Sequence, residues 1–199
     1  MKQKISVTLF GLMVLYTSGA MAQSEKNEVE DSIEREEMPG KALETLSEFW
    51  PNLNDIRYFS QTDGETETYE AKLEWQGKIY SIEFATSGSI IDVEQLVEME
   101  EIASGARMGI DEYLQQQFEK VRVTRLQQQF VADDEDGIDD IDFIEDILEE
   151  DKEDYIVRYE LEVEGRSGSR IGAFELLFDR NGDIMQRRKI VRRSLDNIW

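Results

Sequence analysis

Between Tyr69 and Ile90 the chain reads YEAKLEWQGKIYSIEFATSGSI, an apolar/polar alternation broken twice by glycine turns. Successive side chains of a strand point to opposite faces. Tyr69, Ala71, Leu73 and Trp75 therefore share one face, and Glu70, Lys72 and Glu74 share the other. Gln76-Gly77 supplies a tight turn, Tyr80, Ile82 and Phe84 resume the apolar phase, and Ser87-Gly88 hands over to Ile90. The pattern predicts three antiparallel strands with one buried and one wet face. It is written a second time: Val157, Tyr159, Leu161 and Val163 alternate with Arg158, Glu160, Glu162 and Glu164, Gly165 takes the place of Gly77, and Phe174, Leu176 and Phe178 lead to a turn at Gly182 and on to Ile184.

Helical spacing precedes each copy. Leu43, Leu46 and Trp50 form an apolar stripe flanked by Ala42 and Phe49, with Pro39-Gly40 as a start signal and Pro51 as a stop. Ile110, Leu114 and Phe118 repeat the spacing of Ala42, Leu46 and Trp50 within a second helix expected over roughly 97–120. A strand over about 55–62, turning at Asp63-Gly64, joins the first helix to the central alternation. Such a repeat predicts an α+β fold of two α-β-β-β-β repeats, residues 32–97 and 98–199, forming one antiparallel sheet with the helices packed on one face. Residues 23–31 are polar without periodicity and read as a flexible linker. The second half also carries an insertion over residues 132–154 with fourteen carboxylates and one lysine. Ile138, Ile141, Ile144, Ile147 and Leu148 recur there at helical spacing, which predicts a short acidic amphipathic helix.

Residues 1–22 read as a secretory signal: Lys2 and Lys4, a largely apolar run from Ile5 to Tyr16, then Ala20-Met21-Ala22 as a small-x-small cleavage site. The apolar run is shorter than the ~20 residues that span a bilayer. A periplasmic or secreted protein, not inserted in the membrane after cleavage, is therefore expected, with residues 32–199 as a single domain. Without the two leader lysines, 20 basic side chains face 45 acidic ones, a net charge of −25. That charge repels nucleic acid and anionic lipid and suits a basic protein or peptide partner. Five basic residues, Arg187, Arg188, Lys189, Arg192 and Arg193, crowd the C-terminal end.

The leader, the helix Ala42 to Trp50, the motif YEAKLEWQGKIYSIEFATSGSI and its echo FELLFDRNGDIM resemble the PepSY-like proteins, whose fold is like that of a β-lactamase inhibitor protein. The resemblance spans roughly Ser32 to Arg193 without the acidic insertion. Ala85 stands in the first half where the second has the family's aspartate, Asp179. What the resemblance implies is a periplasmic or secreted protein of two α-β repeats without known catalysis. Its family label suggests inhibition of proteins or peptidases, with no inhibitory residue to carry over.

Candidate chemistries narrow quickly. The chain has no histidine and no cysteine, so serine and cysteine triads lack a base or a nucleophile. No SxxK occurs, and Gly165-Arg166-Ser167-Gly168-Ser169 is not GxSxG but a hairpin loop. No carboxylate pair stands out for acid/base hydrolysis. An EF-hand alignment on Gly137 puts Ala132 at the first ligand and Phe143 where a bidentate glutamate belongs, so no metal or other cofactor is assigned. The expected function is a non-enzymatic, inhibitor-like protein-binding module, with Glu70, Lys72, Glu74, Glu160, Glu162 and Glu164 as the partner-binding face of the sheet. The alternative is a calcium-responsive acidic protein whose insertion is ordered by the ion.

Overall fold

A computed structural model describes residues 24–50, 55–132, 139–150 and 155–191. The expected signal peptide and the last two basic residues of the C-terminal cluster lie outside them. The strands are β1 (Ser24–Lys26), β2 (Glu28–Ile33), β3 (Arg57–Asp63), β4 (Thr66–Trp75), β5 (Lys78–Ala85), β6 (Ile90–Leu96), β7 (Lys120–Val131), β8 (Ile156–Ser167), β9 (Arg170–Asp179) and β10 (Ile184–Ile190). The helices are α1 (Gly40–Phe49), α2 (Ser104–Gln117) and α3 (Asp140–Glu149), the last inserted between β7 and β8.

All ten strands join one sheet in the order β1-β10-β9-β8-β7-β6-β5-β4-β3-β2. Asn27 alone separates β1 from β2, so a single N-terminal run pairs with both edges of the sheet. Lys26 registers with Ile190 in a parallel ladder, and Glu28 registers with Asp63 in an antiparallel one. Val191 N–H donates to the Lys26 carbonyl at 3.1 Å, Asn27 N–H donates to Asp63 Oδ1 at 3.3 Å, and Arg188 pairs with Asp63 directly across the seam. Pairing both edges removes the exposed donors and acceptors that an open sheet presents.

The expected α+β arrangement is therefore corrected to a mainly β near-barrel carrying three short helices. Its cause lies in residues 23–31: 24–26 and 28–31 are strand, not linker, and they close what would otherwise be an open sheet. The second helix is also shorter than its spacing predicts. Val97 N–H donates to the Leu126 carbonyl at 3.1 Å, which keeps the chain extended beside β7, and helix begins only at Ser104.

The apolar phase of the strands faces outward, under the helices. Tyr80, Ile82, Phe84 and Leu73 pack with Leu46 of α1 and Phe143, Ile144 and Ile147 of α3. Leu161, Val163, Leu176 and Phe178 pack with Ala106, Ile110 and Leu114 of α2. Fully burying side chains of this size stabilises by roughly 1.5–3 kcal/mol each before ordering entropy is charged against it. No helix among the described residues is long and apolar enough to cross a membrane.

Helix α3 has a defined start. The Asp139 carboxylate accepts from Ile141 N–H at 2.8 Å and Asp142 N–H at 3.0 Å, satisfying donors that the first turn leaves without partners. Lys41 of α1 pairs with Asp140 at 2.6 Å and holds this end against α1. Asp139→Ala is expected to cost about 1 kcal/mol, a fall in Tm of about 2–4 °C for a domain of this size. A thermal melt followed by circular dichroism measures it.

Candidate functional site

The polar phase of every strand points into the near-barrel. Residues from β1 to β10 together line a cavity of about 320 Å³. Among the described residues, Leu177 is the only apolar one of the lining, and carboxylates outnumber basic groups by nine to four. This is the reverse of an ordinary small barrel, whose interior is filled by side chains.

Local geometry explains which residues arrive there. Glu83 of β5 registers with Asp92 of β6, and Ser81 with Glu94, so two carboxylates stand directly opposite each other on the inner face. Like charges in that position repel unless a proton or a cation lies between them. A one-residue irregularity in β6 just before Asp92 restores the apolar phase on the outside, and a second in β7 around Thr124 turns Arg125, Gln127 and Gln129 inward. Gln127 Nε2 donates to Glu94 at 2.6 Å, and Gln129 Nε2 donates to Asp92 Oδ2 at 2.9 Å.

The basic groups of the closing seam are committed to ion pairs. Lys26 pairs with Glu175 and with Glu28 at 3.0 Å, and Arg188 pairs with Asp63 and with Glu175 at 3.5 Å. Beside the cavity, Lys72 is 2% exposed, 2.6 Å from Glu30 and 3.0 Å from Glu70, with its ammonium 4.4 Å from the centre of the Phe59 ring. By contrast, Asp92 is 4% exposed and its Oδ1 has no hydrogen-bond donor; Gln129 Oε1 has none either.

Burial and mutual repulsion move the inner carboxyls in one direction. Burial, then the charges of Glu83, Glu160 and Glu70, holds Asp92 well above the usual carboxylate range. Burial, then Glu160 and Asp92, does the same to Glu94 against the opposing pull of Arg125. Glu83 and Glu70 are raised mainly by burial. Glu175 is pushed up to about 8 by burial and by Glu160, with Lys26 opposing. Burial would release the Lys26 proton, yet Glu160, Glu175 and Glu28 outweigh it and hold that ammonium firmly charged.

The six residues expected to form a bare docking face do not share one environment. Glu70, Lys72 and Glu162 are buried, Glu160 and Glu164 half-buried, and only Glu74 is exposed. Glu70 and Glu160 line the cavity, whereas Glu164 pairs with Arg122 at 2.7 Å. The face they belong to is the inside of a closed sheet. Lys26, Glu28 and Glu30 fall in the stretch whose sequence reads as linker, and Asp92, Glu94 and Gln129 belong to no motif of the sequence. The signal for the last three was the polar phase of β6 and β7, where polar residues recur at every second position.

The calcium alternative rests on the insertion, and positions 133–138 and 151–154 of it lie outside the described residues. Among the described residues no group of three or more carboxylates is placed to hold a metal ion.

No family model and no curated protein matches the sequence, so the likeness to PepSY-like proteins stays a resemblance of motifs. Solved structures match in fold. A DUF2874 family protein from Bacteroides ovatus superposes with a TM-score of 0.52 at 11% identity, covering 81% of this chain and 94% of that one. A Bacteroides eggerthii protein, provisionally described as periplasmic, superposes with a TM-score of 0.52 at 10% identity, covering 80% and 93%. A BLIP-like protein from Bacteroides fragilis overlaps more loosely, with a TM-score of 0.48 at 11% identity over 81% and 92%. At such identities the first two share this chain's fold and nothing finer.

Proposed function

We propose that this protein is a non-catalytic binding module of the periplasm or the secreted fraction, and that it takes a small polar ligand into the interior of its near-barrel. The observation that carries the reading is the cavity itself: about 320 Å³ of polar-lined space, at the lower end of the range occupied by small-molecule sites. A protein partner cannot reach Glu70 or Glu162 without opening the sheet, so an interior ligand replaces the docking of a basic protein on this face. The signal-like leader and the provisional periplasmic description of the Bacteroides eggerthii protein of the same fold support the compartment.

The chain has neither histidine nor cysteine. A carboxylate hydrolase sets a protonated acid against an ionised partner by pushing their pKa values apart. Here the displaced cavity carboxyls, Glu70, Glu83, Asp92, Glu94 and Glu175, all move upward together.

Nuclear magnetic resonance of the isotope-labelled protein tests the interior site, by titration with small amines, dicarboxylates and polyols. Saturable shifts confined to inward-facing positions of β4 to β9 are expected from at least one class. Shifts only on the helices and outer turns, or none from any class, would refute an interior site.

A further inference from the structure

We propose that the interior site is selective for a small organic cation bearing a primary ammonium, seated on Asp92 Oδ1 and Gln129 Oε1 with Glu83 and Glu94 beside it. This rests on the interior-binding reading and adds the chemical class of the ligand.

The two oxygens are acceptors in search of donors. Asp92, 4% exposed, lines the cavity and uses only Oδ2 to accept from Gln129. That amide uses its Nε2 in the same bond and leaves its own oxygen without a donor. Leaving a buried acceptor unsatisfied costs on the order of 1–3 kcal/mol, more for a charged group. An ammonium carries three donors and no acceptor, so one group can serve both oxygens.

Charge points the same way. Glu83, Asp92 and Glu94 sit on neighbouring strands, and of the cavity's basic groups Lys26 and Arg188 are already held by Glu28, Asp63 and Glu175 at the seam. Arg125 bears on this trio through Glu94, and Arg158, whose buried Nε has no acceptor, registers with Gln129 on the adjacent strand; nine carboxylates against these four basic groups still leave the lining negative. An added anion would meet an excess of carboxylates; an added cation would relieve it. A hard metal ion needs six to eight oxygen ligands at ~2.3–2.6 Å for calcium, and no three-carboxylate arrangement among the described residues offers a start. An organic cation brings its donors on a carbon frame and uses hydrogen bonds of ordinary length. A water's share of liquid volume is roughly 30 Å³, so the cavity has room for about ten waters or for a linear diamine with space to spare.

The raised protonation of Asp92, Glu94 and Glu83 adds a signature. Before binding, this group of carboxyls holds protons that an incoming ammonium displaces. Binding is therefore coupled to proton release.

The test is calorimetry of the full chain with putrescine as probe, alongside succinate and glycerol, in two buffers of different ionisation enthalpy. Putrescine is expected to bind with one-to-one stoichiometry, with a heat that changes between buffers because protons are released. Asp92→Asn should weaken it at least tenfold, and the exposed Glu74→Gln should not. Thermal melts of both variants show whether they are folded; if Asp92→Asn is not, the buffer dependence of the unmodified protein and Gln129→Leu carry the test. Equal weakening by both variants, or a heat independent of buffer, would mean diffuse attraction to an acidic protein and overturn the proposal. Binding of succinate or glycerol inside the barrel without putrescine would overturn the cationic class and leave the interior site standing. Silence from all three probes, with no shift of inward amides, would bring down both.

Discussion

Gly182→Ala is expected to lower Tm by about 10 °C or more, whereas Gly64→Ala should move it by only a few degrees. Both glycines have positive φ, +87° and +66°. An alanine in that region costs roughly 1–2 kcal/mol, which is the whole expected penalty at Gly64, where an added Cβ has nothing within 4 Å. At Gly182 the added Cβ would fall 2.2 Å from the carbonyl oxygen of Ala106 and 2.9 Å from its carbon. Both are backbone atoms of α2, so no side chain can swing aside. The contact is tight from the other direction too, since a Cβ on Gly109 would lie 2.8 Å from the Gly182 carbonyl oxygen. Relief requires α2 to lift, and α2 carries Ile110 and Leu114, which are 0% and 4% exposed. Partial loss of that packing adds several kcal/mol to the backbone strain, the size typical of overpacking or core loss. At about 2–4 °C per kcal/mol for a domain of this size, the melt separates the two variants clearly. Equal melting temperatures would show that the β9–β10 turn is not pinned to the helix.

Much of the outer architecture was legible because it obeys the hydrophobic pattern. Tyr80, Ile82 and Phe84, and Tyr159, Leu161 and Val163, alternate as buried strands do, and all six are buried under the helices. Helix α1 runs between the Pro39-Gly40 and Pro51 signals that bounded it in the sequence. The closure was not legible, for a physical reason. Alternation identifies a strand when one of its faces is oily and the other wet. In residues 24–33 the inward positions Lys26, Glu28 and Glu30 face a polar cavity, and half of the outward ones are exposed, so no contrast marks them. Missing that segment makes the sheet look open, its polar face look bare, and the two helices look like half of the fold. The register that sets Glu83 against Asp92 depends on an irregularity in β6 that composition does not show. The carboxylates were visible as charge throughout; only the curvature of the sheet makes them neighbours.

That enclosure carries the second large prediction, an inverted pH dependence. Folded proteins ordinarily lose stability as carboxylates in ion pairs are protonated. Here stability is expected to fall as pH rises from 5.5 to 8.5. The Glu175 carboxyl faces Lys26 of β1, Glu28 of β2, Glu160 of β8 and Arg188 of β10. Its folded pKa of about 8 lies well above the ordinary 4.5 of the unfolded chain. Between those values the native state keeps a proton that the unfolded state has shed, so raising the pH favours unfolding. The contribution is whole below the unfolded pKa and is lost as pH climbs through the folded one. Asp92 and Glu94 shift in the same direction and steepen the slope. At 1.36 kcal/mol per pH unit for each proton, the summed effect reaches a few kcal/mol, far above the error of a denaturation curve. Urea midpoints at the two pH values measure it. Because the exterior is also acidic and repels itself more strongly at high pH, the slope is assigned by substitution. Glu175→Gln keeps the shape and mimics the protonated form, so it should leave stability at pH 5.5 nearly unchanged, raise it at pH 8.5 and flatten the profile. Glu74→Gln, on an exposed side chain, should leave the slope as it is. A midpoint that rises with pH in the unmodified protein would mean that the interior carboxyls are already ionised in the folded state, so that a bound cation would have no protons there to displace.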